Sequence, residues 1–310
     1  MPIIIGILSG MGLPFQTSVN TKLRKRVGSP FRASLISFFV AFVFLTFLLM
    51  ITERHYFIPW GNMMREPAWV WTGGICGVIF LTGNILLFGK LGAVETVILP
   101  VMGQVIMGLA VDHFGFFHMT KIPLSGFRIL GAVLVISGVG FAAIDKETGI
   151  ENKNSAEVSS LYLWKIFGIF SGMISATQTA VNGYVGKIMG SPLKGAIISF
   201  TGGIIFLIII CLITGLKNRC SGTKGECSGR GPWWIWTGGI LGGVYILSKT
   251  YLTRIMGTGF TVILTLFGST AGGILIDRFG FAGSPKRPVT FKKIIGIFLM
   301  TAGVTMIRLL

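Results

Sequence analysis

Residues 9 to 38, SGMGLPFQTSVNTKLRKRVGSPFRASLISF, return in altered form at 171 to 200 as SGMISATQTAVNGYVGKIMGSPLKGAIISF. Ser9, Gly10, Gln16, Asn20, Gly28, Pro30 and Ser37 map onto Ser171, Gly172, Gln178, Asn182, Gly190, Pro192 and Ser199, always 162 positions on. A second block repeats at an offset of 165: WVWTGG at 69 to 74 returns as WIWTGG at 234 to 239, and DHFGF ending at Phe116 returns as DRFGF ending at Phe281. The chain is one unit written twice, and its fold must accommodate two copies of that unit.

What kind of unit follows from hydropathy. Of 310 residues, 52% are hydrophobic and 12% charged, with a mean hydropathy of +0.79. Soluble domains carry about 25% charge, so this is the composition of a membrane protein. A membrane helix needs about 20 apolar residues, and five such stretches fit in each half, the first over 3–23 and the sixth over 163–183. The expected fold is therefore an all-α integral membrane protein with ten transmembrane helices in two inverted five-helix repeats. Residues 1–144 form the first repeat, 145–161 a polar linker and 162–310 the second repeat. Inversion follows from the odd number, because after five crossings the second copy enters from the opposite side. The apolar N-terminus lacks a small-residue cleavage pattern and reads as the first span rather than a signal peptide.

Basic residues test the topology independently. The face holding both termini takes nine Lys and Arg, the opposite face 18. The loop after the first span holds five basic residues, whereas its second-half equivalent holds Lys187 and Lys194. For the fourth loop the bias is reversed, with Lys121 and Arg128 in the first half and five in the second. A bias that swaps sides between equivalent loops is what an inverted duplication requires, and the positive-inside rule puts both termini outside a cytoplasmic membrane. A disulfide between Cys220 and Cys227 in an external loop would reverse that orientation. Cys76 and Cys211 lie in apolar segments and read as packing residues.

The net charge of +17 does not imply nucleic acid, since no basic face or recognition motif accompanies it. Positive loops against anionic lipid account for it. No catalytic order of Ser, His and Asp, no metal spacing and no phosphate loop is present, so the chain does not read as an enzyme and no cofactor is expected.

Function has to rest on polar groups inside apolar segments. Gln16 and Asn20 lie one helical turn apart on one face, as do Gln178 and Asn182. Such amides must face the bundle interior, either as a midplane solute site or as two structural hydrogen-bond clamps. Gly10, Gly12 and Pro14 predict a kink in the first helix only, because Ala176 replaces the proline in the second copy. Glu95 is an acid within an apolar run, with Phe260 at its equivalent position. It could bind a cationic solute, carry a coupled proton, or pair with Lys90 or Lys249. Gln104, Asn84 and Tyr245 are further candidates for contact with solute. Lys249, the repeat equivalent of Asn84, is placed to snorkel toward the interface. Asp112 and Asp277 open the repeated turn and read as caps or ion pairs at a membrane boundary. Trp69, Trp71, Trp233, Trp234 and Trp236 read as interfacial anchors, with a cation-binding cage as the alternative. Gly73, Gly77, Gly239 and Gly243, with Gly131, Gly138, Gly296 and Gly303, mark faces where helices approach closely.

The two amide-bearing first-helix segments, the paired WTGG starts and the DHFGF and DRFGF turns resemble the YdcZ-like family of the drug/metabolite transporter superfamily, over almost the whole chain. Members commonly look like single five-span units, and this chain resembles a fused pair. The resemblance implies solute movement by alternating access, with Gln16, Asn20, Gln178 and Asn182 as the positions that keep the motif. It also implies cytoplasmic termini, against the charge count. The reading is a secondary transporter of a small metabolite or organic cation, with protons or sodium as coupling ions and lipids as surroundings, acting as a monomer or homodimer. A channel, or a scaffold whose amides are fully satisfied, is the alternative.

Overall fold

The computed structural model describes residues 1–53, 60–91, 93–143, 155–214, 232–281 and 291–309. Cys220 and Cys227 lie outside them, as does the Asp277 side chain. Among the described residues ten long helices form the fold: α1 (Pro2–Val27), α2 (Pro30–Thr52), α3 (Thr72–Leu91), α4 (Ala93–Phe114), α5 (Gly126–Ala143), α6 (Ser155–Ile188), α7 (Pro192–Ile213), α8 (Gly238–Met256), α9 (Thr258–Phe279) and α10 (Phe291–Leu309). Helix α6 begins at Ser155, within the stretch read from sequence as the inter-repeat linker.

The repeated punctuation sets the helix ends. Gly28, at φ 75°, takes the left-handed conformation that ends α1, and its N–H donates to the Arg24 carbonyl at 2.9 Å. Ser29 is then extended and Pro30 opens α2, where a missing N–H costs nothing. Gly190, Ser191 and Pro192 repeat this between α6 and α7, with Gly190 at φ 69°.

Six of these helices are long and apolar enough to cross a membrane: α1, α2, α3 with its preceding turn, α4, α7 and α9. Helices α5 and α10 carry shorter apolar stretches, Gly126–Phe141 and Ile294–Ile307. Helices α6 and α8 are less apolar because their polar residues face inward: Ser171, Ser175, Gln178 and Asn182 on α6, and Lys249, Thr250 and Thr253 on α8, are all buried. The apolar surplus faces outward instead. Phe39, Phe47 and Met50 on α2, with Ile205, Ile208 and Leu212 on α7, are exposed. In water such faces would drive association, whereas a bilayer covers them. This is an integral, multi-pass membrane protein.

Packing follows the repeat. Helix α1 packs on α8 and α9, and α6 packs on α3 and α4, which exchanges the halves position for position. Helix α2 lies against α7, α4 against α9, and α5 against α10, each with its own counterpart. The α5–α10 contact joins the predicted small faces: a Cβ on Gly131 would crowd the Gly303 carbonyl at 2.7 Å, and one on Gly138 the Gly296 carbonyl at 2.5 Å. Helix α1 runs without a break through Pro14, whose ring is buried. Gly10 serves close approach, since a side chain there would enter the Thr265 carbonyl of α9. Its equivalent Gly172 meets the Pro100 carbonyl of α4 in the same way, and Gly12 has open space around it.

Candidate functional site

A small cavity of about 30 Å³ lies in the seam between the repeats, roughly the room one water needs. Its walls are supplied in equivalent pairs: Gln16 with Gln178, Gly77 with Gly242, Phe38 with Phe200, and Phe80 with Tyr245. Each glutamine amide rests on a glycine of the other repeat, Gln16 on Gly242 and Gln178 on Gly77, where any side chain would displace it. The asparagines one turn on meet Gly238 and Gly73 similarly, Asn20 on the first and Asn182 on the second. The first WTGG glycine of each repeat and the glycine four positions on therefore form the floors on which four intramembrane amides sit. Asn20 also donates to the Ser37 hydroxyl at 3.2 Å.

A larger cavity of about 420 Å³ opens near the ends of α6 and α8. His118, Tyr184, Lys187, Thr253 and Arg254 line it, and among its described lining residues none is acidic. Beside it Trp69 meets Tyr184 at 5.1 Å and Phe117 at 5.3 Å, while His118 meets Tyr184 at 5.1 Å. Phe117 and His118 both take left-handed backbone, at φ 60° and 56°, a strained choice for residues with side chains. Tyr184 donates to the Glu66 carboxylate at 3.0 Å. At the opposite end Lys22 lies over the Trp234 ring, 4.9 Å from its centre, and Trp234 packs near Phe281. Trp69 and Trp234 are thus half-buried in aromatic clusters at the two ends.

Lys249 is 2% exposed. Its ammonium lies 3.4 Å from both the Ser175 and Tyr245 hydroxyls and 5.0 Å from the centre of the Tyr245 ring. Among the described residues no carboxylate pairs with it. It does not snorkel: the residue is buried, and its head points back one turn toward Tyr245 and across to Ser175 of α6.

Asp112 and Arg128 form an ion pair at 3.1 Å, both nearly enclosed. The same Asp112 oxygen accepts the Gly259 N–H at 3.0 Å in the first turn of α9, and Arg128 also donates to the Ile122 carbonyl at 2.9 Å. The repeated aspartate in the first half therefore both pairs and caps, tying α4 and α5 to the other repeat.

With this geometry in place, comparison with known proteins decides the family. The family model described as "Putative inner membrane exporter, YdcZ" matches residues 1–141 and 163–306. The chain belongs to this YdcZ family of the drug/metabolite transporters. Its family and fold are those of a membrane transporter of small solutes, and it is not an enzyme. A protein of known crystal structure shares the fold with a TM-score of 0.64 at 12% identity, over 99% of this chain and 95% of that one. Comparison with curated proteins returns no match.

The residues singled out from the sequence of this YdcZ-family chain divide in three. Gln16, Gln178 and Tyr245 line the central cavity. Asn20, Asn182, Asn84 and Gln104 are buried but stand outside its lining, the first two against glycines of the other repeat. Glu95 is half-buried in the first turn of α4 and lines neither cavity. The glycine floors and the buried state of Lys249 were missed. The pairing of Gly73 with Asn182 and Gly77 with Gln178 crosses the repeats, and only shared spacing of four within each motif hinted at it.

Proposed function

We propose that the protein is a secondary transporter that carries a small solute by alternating access between two inverted five-helix repeats. The observation that carries this reading is the central cavity walled by equivalent residues of both halves. Such a seam can open toward one face by rocking one unit against the other, and the symmetry makes the opposite opening similar in energy. Gln16 and Gln178 offer donors and acceptors there, with Tyr245 giving one wall a hydroxyl that Phe80 lacks. The cavity holds about one water, which fits a closed intermediate. Family membership supplies no nucleotide-driven motor, so leak-down or an ion gradient drives the cycle. Glu95 is the acid that would carry a coupled proton. The swapped basic residues support a topology with both termini outside, and burial of Arg128 and Lys249 leaves even fewer exposed cations on that face.

Counterflow in proteoliposomes tests the reading. Vesicles preloaded with an unlabelled metabolite mixture should accelerate entry of the labelled solute, saturably, and imposed proton or sodium gradients should reveal coupling. A non-transporting scaffold is the second reading, favoured by how tightly the seam is closed. Current with no saturation would indicate a channel, and no exchange of any solute would favour the scaffold.

A further inference from the structure

We infer that Lys249 is the anion-binding group of the transport path, so that the solute is a small organic anion. This rests on the carrier reading above and narrows it. Tyr245, Lys249 and Thr253 recur every four residues on one face of α8. Tyr245 lines the central cavity and Thr253 the larger one, with Lys249 one turn from each. A buried ammonium is expensive inside a membrane bundle unless a counter-charge meets it. Here its described partners are two neutral hydroxyls at the long distance of 3.4 Å. The Thr253 hydroxyl, on a residue 2% exposed, is buried with no partner at all. The path is therefore built with donors awaiting an acceptor.

The approach is basic as well. Lys187 and Arg254 line the larger cavity, and its volume suits a metabolite-sized molecule. Charge there would attract an anion and hold it one turn from Lys249. Carboxylates described nearby are already engaged: Asp112 by Arg128, and Glu66 by Tyr184. The first repeat lacks the device. Its equivalents of Ser175, Tyr245, Lys249 and Thr253 are Leu13, Phe80, Asn84 and Phe88. The charge thus occupies one half-path only, and an anion leaving through the other half would part from its counter-charge. A carboxylate and a phosphate share this chemistry.

Reductive labelling of the full-length protein tests the site. Glyoxylate, a small anionic aldehyde, condenses with a lysine amine with loss of water, and cyanoborohydride traps the imine for peptide mapping. Lys249 should be labelled, and succinate or inorganic phosphate should protect it, separating carboxylate from phosphate solutes. At ten times its Kd a competitor leaves about a tenth of sites free, so protection should approach tenfold, while choline protects nothing and exposed Lys90 is unaffected. Failure of Lys249 to label, or labelling that neither anion reduces, overturns the assignment. Counterflow separates the two levels. Protected Lys249 without counterflow of either anion keeps the anion site and removes the carrier. Choline counterflow that survives Lys249→Met keeps the carrier and removes the anion site.

Discussion

The Gln16 side chain lies on the backbone of Gly242, so that the first repeat's amide fills a place the second repeat leaves empty by having no side chain. Gln178 and Gly77 repeat the relationship with the halves exchanged. The pairs hold the seam together and wall the central cavity at once. Replacing Gly242 or Gly77 by alanine should displace the amide and obstruct the seam. Overpacking of this kind costs about 1–3 kcal/mol, so each variant should lose thermal stability in detergent, and equal stability to the parent would count against the packing described.

Gln16 and Asn20 should separate in their effects. Gln16→Ala enlarges the cavity wall and should alter counterflow more than stability. Asn20 is fully buried against Ser37, and Asn20→Ala should cost about 1–2 kcal/mol as its partner is left unpaired. Thermal unfolding beside counterflow for both variants distinguishes the roles. A transport defect tracking stability in both would make the amides purely structural.

The Asp112 and Arg128 pair is a structural clamp between α4, α5 and α9. Removing one partner of a buried pair costs about 3–5 kcal/mol, so Asp112→Ala should fold poorly or melt well below the parent. Joint replacement, Asp112→Leu with Arg128→Met, should recover part of the loss. A double-mutant cycle with no coupling would show that the ions do not act together.

Gly10→Ala and Gly172→Ala should be similarly damaging, because both side chains would enter a carbonyl of a crossing helix. Gly12→Ala, in open space, should change stability by less than about 0.5 kcal/mol. Melting curves for the three discriminate close approach from a glycine-dependent bend in α1, which would make Gly12 the sensitive position.

Orientation is open to a direct measurement. With native thiols removed, Asn154→Cys and Thr223→Cys should both be shielded from an impermeant maleimide added outside intact cells and react after permeabilisation. Labelling from outside would reverse the topology.

Periodicity and repetition in the chain were sufficient for an all-helical membrane protein in two equivalent halves, because hydrocarbon imposes its length on every span and a duplication preserves spacing. They also marked Gln16, Gln178 and Tyr245 as interior groups, since an amide or phenol in an apolar run has to find company. Which glycine receives which amide was decided only by how α1 crosses α8 and α6 crosses α3, contacts between residues more than 100 positions apart. The same holds for Lys249. Near the end of an apolar segment a lysine can reach water in an isolated helix, and only the tertiary packing that buries it beside Ser175 of α6 keeps the charge inside. Glu95 stood out as a lone acid, yet its place in the first turn of α4 sets it apart from both cavities. Local pattern determines which residues turn inward, whereas the crossing of distant helices determines what they meet there.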